Sequence, residues 1–181
     1  MKTSKEKLIL LDLDNTVICA EDLDSIKDSD KIERARQTFS NVRMIDYYDI
    51  FERPHLQEFL DFVFQHFRVG IWTASSKDYA IFVTQNCLIK DKPDRHIELF
   101  LCSHHCNVSK RNFKVSKDLK LLSDKWKLAE SKDIILIDDL EELAKHQPNV
   151  MAIKPFFYDD QNASNDKELL RIKTQLQQEL K

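Results

Sequence analysis

The sequence predicts an α/β fold with a Rossmann-like central parallel sheet flanked by helices and no large cap domain. Three observations predict it. Leu8-Ile9-Leu10-Leu11, Val69-Gly70-Ile71-Trp72 and Ile134-Ile135-Leu136-Ile137 are short continuous apolar runs, the signature of strands buried on both faces. Segments of helical apolar spacing lie between and after them. Each run also empties into a similar polar turn: Asp12 with Asp14, Thr73 with Ser75, and Asp138 with Asp139. If these strands are parallel neighbours, their C-terminal ends meet in one crevice.

The elements follow in order along the chain. The opening strand ends at Asp12, and residues 20–42 are charged, with room for a short exposed helix at 32–37. Residues 44–51 are rich in strand formers and read as one strand. Arg53-Pro54-His55 starts a helix whose Leu56, Phe59, Leu60, Val63, Phe64 and Phe67 form one packing stripe. After the second apolar run, a helix extends from Lys77 to about Leu88 and turns Tyr79, Phe82, Val83 and Asn86 inward. Residues 91–96 form a polar loop, 97–102 a strand, 107–117 a basic irregular segment, and 119–128 a weak helix. Residues 150–153 make a final short strand. The tail, 164–181, is a helix capped by Ser164 or Asn165, with Leu169, Ile172, Leu176 and Leu180 as its stripe. Residues 1–181 are expected to form one domain, with 20–42 as a charged insertion.

Composition narrows the function. The net charge of −3 supplies no global field for nucleic acid or an anionic membrane surface. Residues 1–7 are polar, and no run reaches signal-peptide or transmembrane length, so a soluble intracellular protein of nucleus or cytoplasm is expected. Cys19, Cys87, Cys102 and Cys106 show no disulfide framework. Gly70 is the only glycine, which excludes a Walker loop and a GxGxxG turn. Bound phosphate must therefore be held by side chains, a metal or ordinary backbone amides.

Asp12 and Asp14, read alone, also fit a solvated acidic turn. Four carboxylates and two hydroxyls in one crevice would instead repel unless a cation neutralised them. Oxygen-only ligands select a hard ion such as Mg²⁺. A metal-bound carboxylate beside a phosphate can attack phosphorus. Lys117 is the candidate positive charge, although by spacing it is one lysine among Lys110, Arg111 and Lys114, which read as a solvated rim that attracts acidic or multiply phosphorylated substrates. Cys102-Ser103-His104-His105-Cys106 lacks the second ligand pair of a structural zinc site.

Five motifs in order resemble the haloacid dehalogenase superfamily, and within it the small C-terminal-domain phosphatases, the NLI-interacting-factor-like branch. They are Asp12-Leu13-Asp14-Asn15-Thr16, Arg53-Pro54-His55 with Glu58-Phe59-Leu60, Trp72-Thr73-Ala74-Ser75 with Tyr79-Ala80, Lys117-Asp118-Leu119, and Ile137-Asp138-Asp139. The resemblance implies a Mg²⁺-dependent phosphoprotein Ser/Thr phosphatase that works through an aspartyl-phosphate. It implies Asp12 as nucleophile and metal ligand, and Asp14 as general acid/base with its backbone carbonyl on the metal. Thr73 and Lys117 would bind the phosphate, and Asp138 and Asp139 would hold the metal. By the same analogy the substrate is a phosphoprotein such as the tail of the large RNA polymerase subunit. The small net charge and the lack of a membrane-length run lead us to expect no direct nucleic-acid or membrane contact, and a terminal stripe packed on its own domain leads us to expect a monomer. Asn15 departs from the Glu usual in this branch, and Asp139 from the Asn of many small members. Residues 19–42 lack the family's apolar pattern for a proline pocket, so Ser-Pro preference is not implied; Tyr47, Tyr48 and Phe51 offer an aromatic wall instead. Two alternatives remain: a phosphatase acting on a nucleic-acid end or small phosphoester, and a non-catalytic phosphoprotein-binding scaffold.

Overall fold

A computed structural model describes residues 6–180. The polar residues Met1–Lys5 and the last residue of the tail, Lys181, lie outside the described residues. The strands are β1 (Leu8–Leu11), β2 (Ile18–Asp22), β3 (Asn41–Met44), β4 (Tyr48–Glu52), β5 (Arg68–Trp72), β6 (Ile97–Leu101), β7 (Ile134–Asp138) and β8 (Val150–Ala152). The helices are α1 (Ser29–Thr38), α2 (Leu56–His66), α3 (Lys77–Val83), α4 (Ser103–Phe113), α5 (Glu141–His146) and α6 (Glu168–Gln178).

The three apolar runs are neighbours. The main sheet is parallel with order β6-β5-β1-β7-β8, so β1 lies between β5 and β7. Every residue of β1 and β7 is buried, as a strand covered on both faces requires. Ile9 and Leu11 face one core with the α2 stripe and Leu169, Ile172 and Leu176 of α6. Leu8 and Leu10 face the other, with Trp72, Leu121, Leu136 and Leu143. Period-two alternation thus feeds two layers from one strand. Gly70 sits where β6 approaches most closely: an added Cβ would lie 2.9 Å from the Leu99 carbonyl oxygen and 2.9 Å from Leu10 Cδ2.

The charged insertion is more ordered than its composition suggests. A second, antiparallel sheet of order β2-β4-β3 carries α1 on one face. Residues 44–51 are not one strand: β3 and β4 are separate, joined by a turn in which Asp46 takes a left-handed conformation, φ 67°. α1 is longer than expected because Asp28 caps it, accepting from the amides of Asp30 and Lys31 at 3.0 Å each, and because Ile32 and Ala35 are buried. Part of its charge is paired with the sheet. Asp49, buried in β4, accepts from Arg36 Nε at 3.1 Å and from Arg43 Nε at 2.8 Å.

Other expectations need correction. Residues 107–117 are not irregular, because α4 covers most of them; Cys106 and Ser109 face inward while its basic residues stay exposed. The helix after β5 changes pitch, α3 giving way to a π-helical turn over Thr84–Ile89, and Asn86 there is exposed. The region 119–128 is helical only as a π-turn at Leu121–Lys125. Neither Ser164 nor Asn165 caps α6; Lys167 holds the cap position without a side-chain bond, and Asp166, one residue earlier, accepts from the Glu168 amide at 3.0 Å. Leu180 lies beyond α6 and is exposed.

Candidate active site

The parallel order brings the three polar turns together. Asp12 directly follows β1, Thr73 directly follows β5 and Asp138 is the last residue of β7, and each of the three is buried. The Asp12 amide donates to the Ile137 carbonyl at 3.0 Å, and the Thr73 amide to Leu101 at 3.0 Å, so the ladder continues up to the functional side chains. A side chain at such a position is aimed by a strand, not by a loop.

Lys117 enters from the other end of the chain and is the central cation. Its Nζ donates to Asp12 Oδ1 and to Asp138 Oδ2, both at 2.6 Å, with all three groups nearly inaccessible. The segment is held in place from below. Ser109 Oγ donates to the Val115 carbonyl at 2.7 Å and accepts from the Asp118 amide at 3.0 Å, while Gln147 Nε2 donates to the Lys117 carbonyl at 3.0 Å. Burial drives Asp12 up to about 7, against the lowering effect of Lys117. Burial acts to lower Lys117, but Asp12 and Asp138 outweigh it and raise the ammonium above its ordinary value. Burial, and then the charge of Asp138, raise Asp139.

Thr16 ties the acidic turns together. Its hydroxyl lies 3.3 Å from both Asp12 Oδ2 and Asp139 Oδ1, and it accepts from the Asp139 amide at 3.1 Å. Asp12, Asp138 and Asp139 each place one oxygen within 4.8 Å of the others. The carboxylate of Asp14 stands outside this trio. It accepts from Ser75 Oγ at 2.6 Å and from the Tyr79 hydroxyl.

Asp14 opens instead onto a cavity of about 780 Å³, lined also by Met44, Tyr47, Tyr48, Ser75 and Tyr79. Tyr47 and Tyr48 therefore stand where an aromatic wall was expected. Phe51 does not: it points to the opposite face of β4 and packs with Phe39 and Tyr158. Lys110, Arg111 and Lys114 are exposed, while Lys117 is buried, so spacing alone misjudged it as one of that set. The residues missed from the sequence are Thr16 and the hydroxyl of Tyr79. Thr16 lies four positions after its partner Asp12, and Tyr79 four positions after Ser75, with which it shares Asp14 as acceptor; those offsets were the available signal.

Beneath the loop, Arg53 is a buried clamp. Its Nη1 donates to the Thr16 carbonyl at 2.9 Å, its Nη2 to Lys154 at 2.7 Å, and its Nε and Nη2 to Asp166 at 2.9 and 2.8 Å. Asn15 adopts a left-handed conformation, φ 59°, and its carbonyl accepts from the Phe156 amide at 2.8 Å. Asparagine is among the few non-glycine residues that adopt that region readily.

Residues 7–181 match the family described as NLI interacting factor-like phosphatase. The chain belongs to that family. The CTD phosphatase-like protein 355R of Invertebrate iridescent virus 3 is 62% identical over 183 residues, covering 98% of each chain. Its counterpart in Invertebrate iridescent virus 6 is 44% identical over 180 residues, covering 96% of this chain and 99% of its own. The CTD small phosphatase-like protein 3 of Caenorhabditis elegans is 30% identical over 94% of this chain and 53% of its own. In structure, this NLI interacting factor-like phosphatase is similar to fission yeast Fcp1, an RNA polymerase II CTD phosphatase, solved bound to beryllium fluoride. The TM-score is 0.60 at 19% identity, over 96% of this chain and 52% of that one. The chain thus spans about half the length of the nematode and yeast proteins, and the yeast likeness speaks for the fold. Among the described residues no helix is long and apolar enough to cross a membrane.

Proposed function

We propose that this chain is a Mg²⁺-dependent phosphoprotein serine/threonine phosphatase that works through an aspartyl-phosphate on Asp12. The observation that carries the reading is the buried Asp12–Lys117–Asp138 arrangement, with Asp14 beside it at the mouth of an open cavity. The donor set of Asp12, Asp138 and Asp139 is oxygen only, which fits a hard divalent cation. Such an ion, when bound, offsets charge on the transferring phosphoryl oxygens.

The chain's own residues do the rest. In the first half-reaction a carboxylate oxygen of Asp12 bonds to phosphorus, and the bond from phosphorus to the seryl or threonyl oxygen breaks. Asp14 gives its proton to that departing oxygen. In the second, water attacks phosphorus, Asp14 takes the water's proton, and the Asp12–phosphorus bond breaks to release phosphate. Lys117 balances charge on Asp12 and on the phosphoryl group. The Thr73 oxygen accepts the Ser75 amide at 3.1 Å, which leaves its hydroxyl hydrogen to donate to a phosphoryl oxygen.

The substrate reading rests on the cavity and the relatives. Tyr47, Tyr48 and Met44 offer an apolar wall beside Asp14 suited to a peptide side chain next to the phosphorylated residue. The CTD phosphatase-like relatives support a repeat peptide of the RNA polymerase tail as the first substrate to try. Asp12→Asn should abolish hydrolysis of p-nitrophenyl phosphate, a loss of at least about 10³-fold. Full activity in that variant would sink the mechanism. A panel of phosphopeptides, a 3′-phosphorylated oligonucleotide and sugar phosphates ranks the substrate classes, and a preference for either of the latter two would overturn the phosphoprotein assignment.

A further inference from the structure

The carboxylate of Asp14 is gripped from two directions by one short segment. Ser75, in the turn after β5, donates to Oδ2 at 2.6 Å, and Tyr79, in the first turn of α3, donates to Oδ1. The two donors are four residues apart, so the start of the helix sets their separation. The Tyr79 ring is buried and packs edge-on against Tyr48, centroids 5.2 Å apart at 74°, which fixes the direction of its hydroxyl. Burial, and then the charge of Asp14, raise the Tyr79 phenol far above its ordinary value, so it keeps its proton and stays a donor. Ser75 also reaches the phosphate side, because its amide donates to Thr73 Oγ1 at 3.1 Å. Each oxygen of Asp14 retains a second lone pair, which leaves a place for the proton that Asp14 is to deliver.

We propose that Ser75 and Tyr79 are positioning residues for proton transfer: their two hydroxyls fix the plane of the Asp14 carboxyl group, and with it the point of delivery to the departing oxygen. The inference rests on the acid/base reading of Asp14. The physical reason is reach. A general acid works when it lies within hydrogen-bond distance of the atom it protonates, and free rotation of a carboxyl group spends much of its time elsewhere. Tyr79 also lines the cavity that Asp14 faces, so one side chain shapes the space for the substrate and aims the proton donor.

The test uses ring-substituted phenyl phosphates of similar size that differ in the basicity of the departing phenolate. A p-nitrophenolate leaves without a proton; an unsubstituted phenolate needs one. The readout is kcat/KM, which reports the first phosphoryl transfer, measured on the purified chain. Tyr79→Phe keeps the ring and its packing, and Ser75→Ala removes only an oxygen. Each variant should lose about tenfold more on phenyl phosphate than on p-nitrophenyl phosphate, and Ser75→Thr, which keeps the hydroxyl, should show no such split. Equal losses on both substrates, or no loss, would overturn the positioning role. Asp14→Asn is the reference. A large split there with none in the hydroxyl variants removes the positioning role alone, whereas no split in Asp14→Asn overturns the acid reading and the inference with it.

Discussion

Gly70 illustrates how narrow the tolerances of the central sheet are. A methyl group at this position would meet a backbone carbonyl at 2.9 Å, and backbone cannot turn aside as a side chain can. Gly70→Ala should cost about 1–3 kcal/mol in a urea unfolding series, with β5 and β6 forced apart. The position matters for function because β5 delivers Thr73. Much at this scale was legible in the sequence. Asp12, Thr73 and Asp138 each follow a continuous apolar run, and that pattern alone predicts strand ends gathered in one place. Lys117 was not legible from pattern, since nothing in its spacing distinguishes it from Lys110 or Lys114; only the fold separates the buried lysine from the exposed ones. Thr16 was quoted with the first motif but given no role, because a threonine after two aspartates reads as turn chemistry.

Elements were read well where apolar periodicity was strong and poorly where charge dominated. α2 and the buried stripe of α6 follow directly from their spacing. The β3–β4 hairpin was missed because strand-forming residues run without a break through its turn, where Asp46 alone supplies the left-handed geometry. α4 was missed because its buried residues are Cys106 and Ser109, neither strongly apolar, while Val108 and Phe113 are only partly covered. That helix ends at Lys114, φ 65°, a conformation glycine adopts without strain. Lys114→Gly should therefore stabilise the protein by about 0.5–1 kcal/mol in chemical denaturation. The hairpin offers a test by pH. Burial acts to raise Asp49, but Arg43 and Arg36 outweigh it and hold the carboxyl below its ordinary 3.8. A depressed carboxyl contributes stability above its unfolded pKa and loses it as pH falls through the folded one. Against Asp49→Asn, the native chain should hold an advantage of about 1–3 kcal/mol near neutrality that shrinks once the pH drops below 3.8. An advantage independent of pH would show that the arginine pairing is not its source.

At the scale of the whole molecule, the site is a concentration of charge that the fold must hold together. Asp12 is raised to about 7, chiefly by burial, so its contribution to stability is present at low pH and is lost as pH rises through that value. A divalent cation acts in the opposite sense, because it binds the ionised trio and needs the proton gone. Added Mg²⁺ should therefore raise the melting temperature more at pH 8 than at pH 5.5, with the shift growing with metal concentration. Equal shifts at both pH values would place the metal away from Asp12. The same charge is stitched over long stretches of chain: Lys117 lies 105 residues after Asp12, and Asp139 lies 123 residues after Thr16.

That stitching has a consequence for how the protein is made. β1 takes its partners from β5 and β7, both far downstream, so it leaves the ribosome as an apolar strand with two open edges. Pairings this distant in sequence slow folding, and until they form the nascent chain exposes its most adhesive segment. A partial translation product holding only Asp12 and Asp14 lacks the buried cluster, because Lys117 and the Asp138–Asp139 pair are synthesised later. The strand that leads into Asp12 is translated before every strand it pairs with, and it is enclosed only when β7 arrives. Until then its two open edges stay available for pairing with other chains.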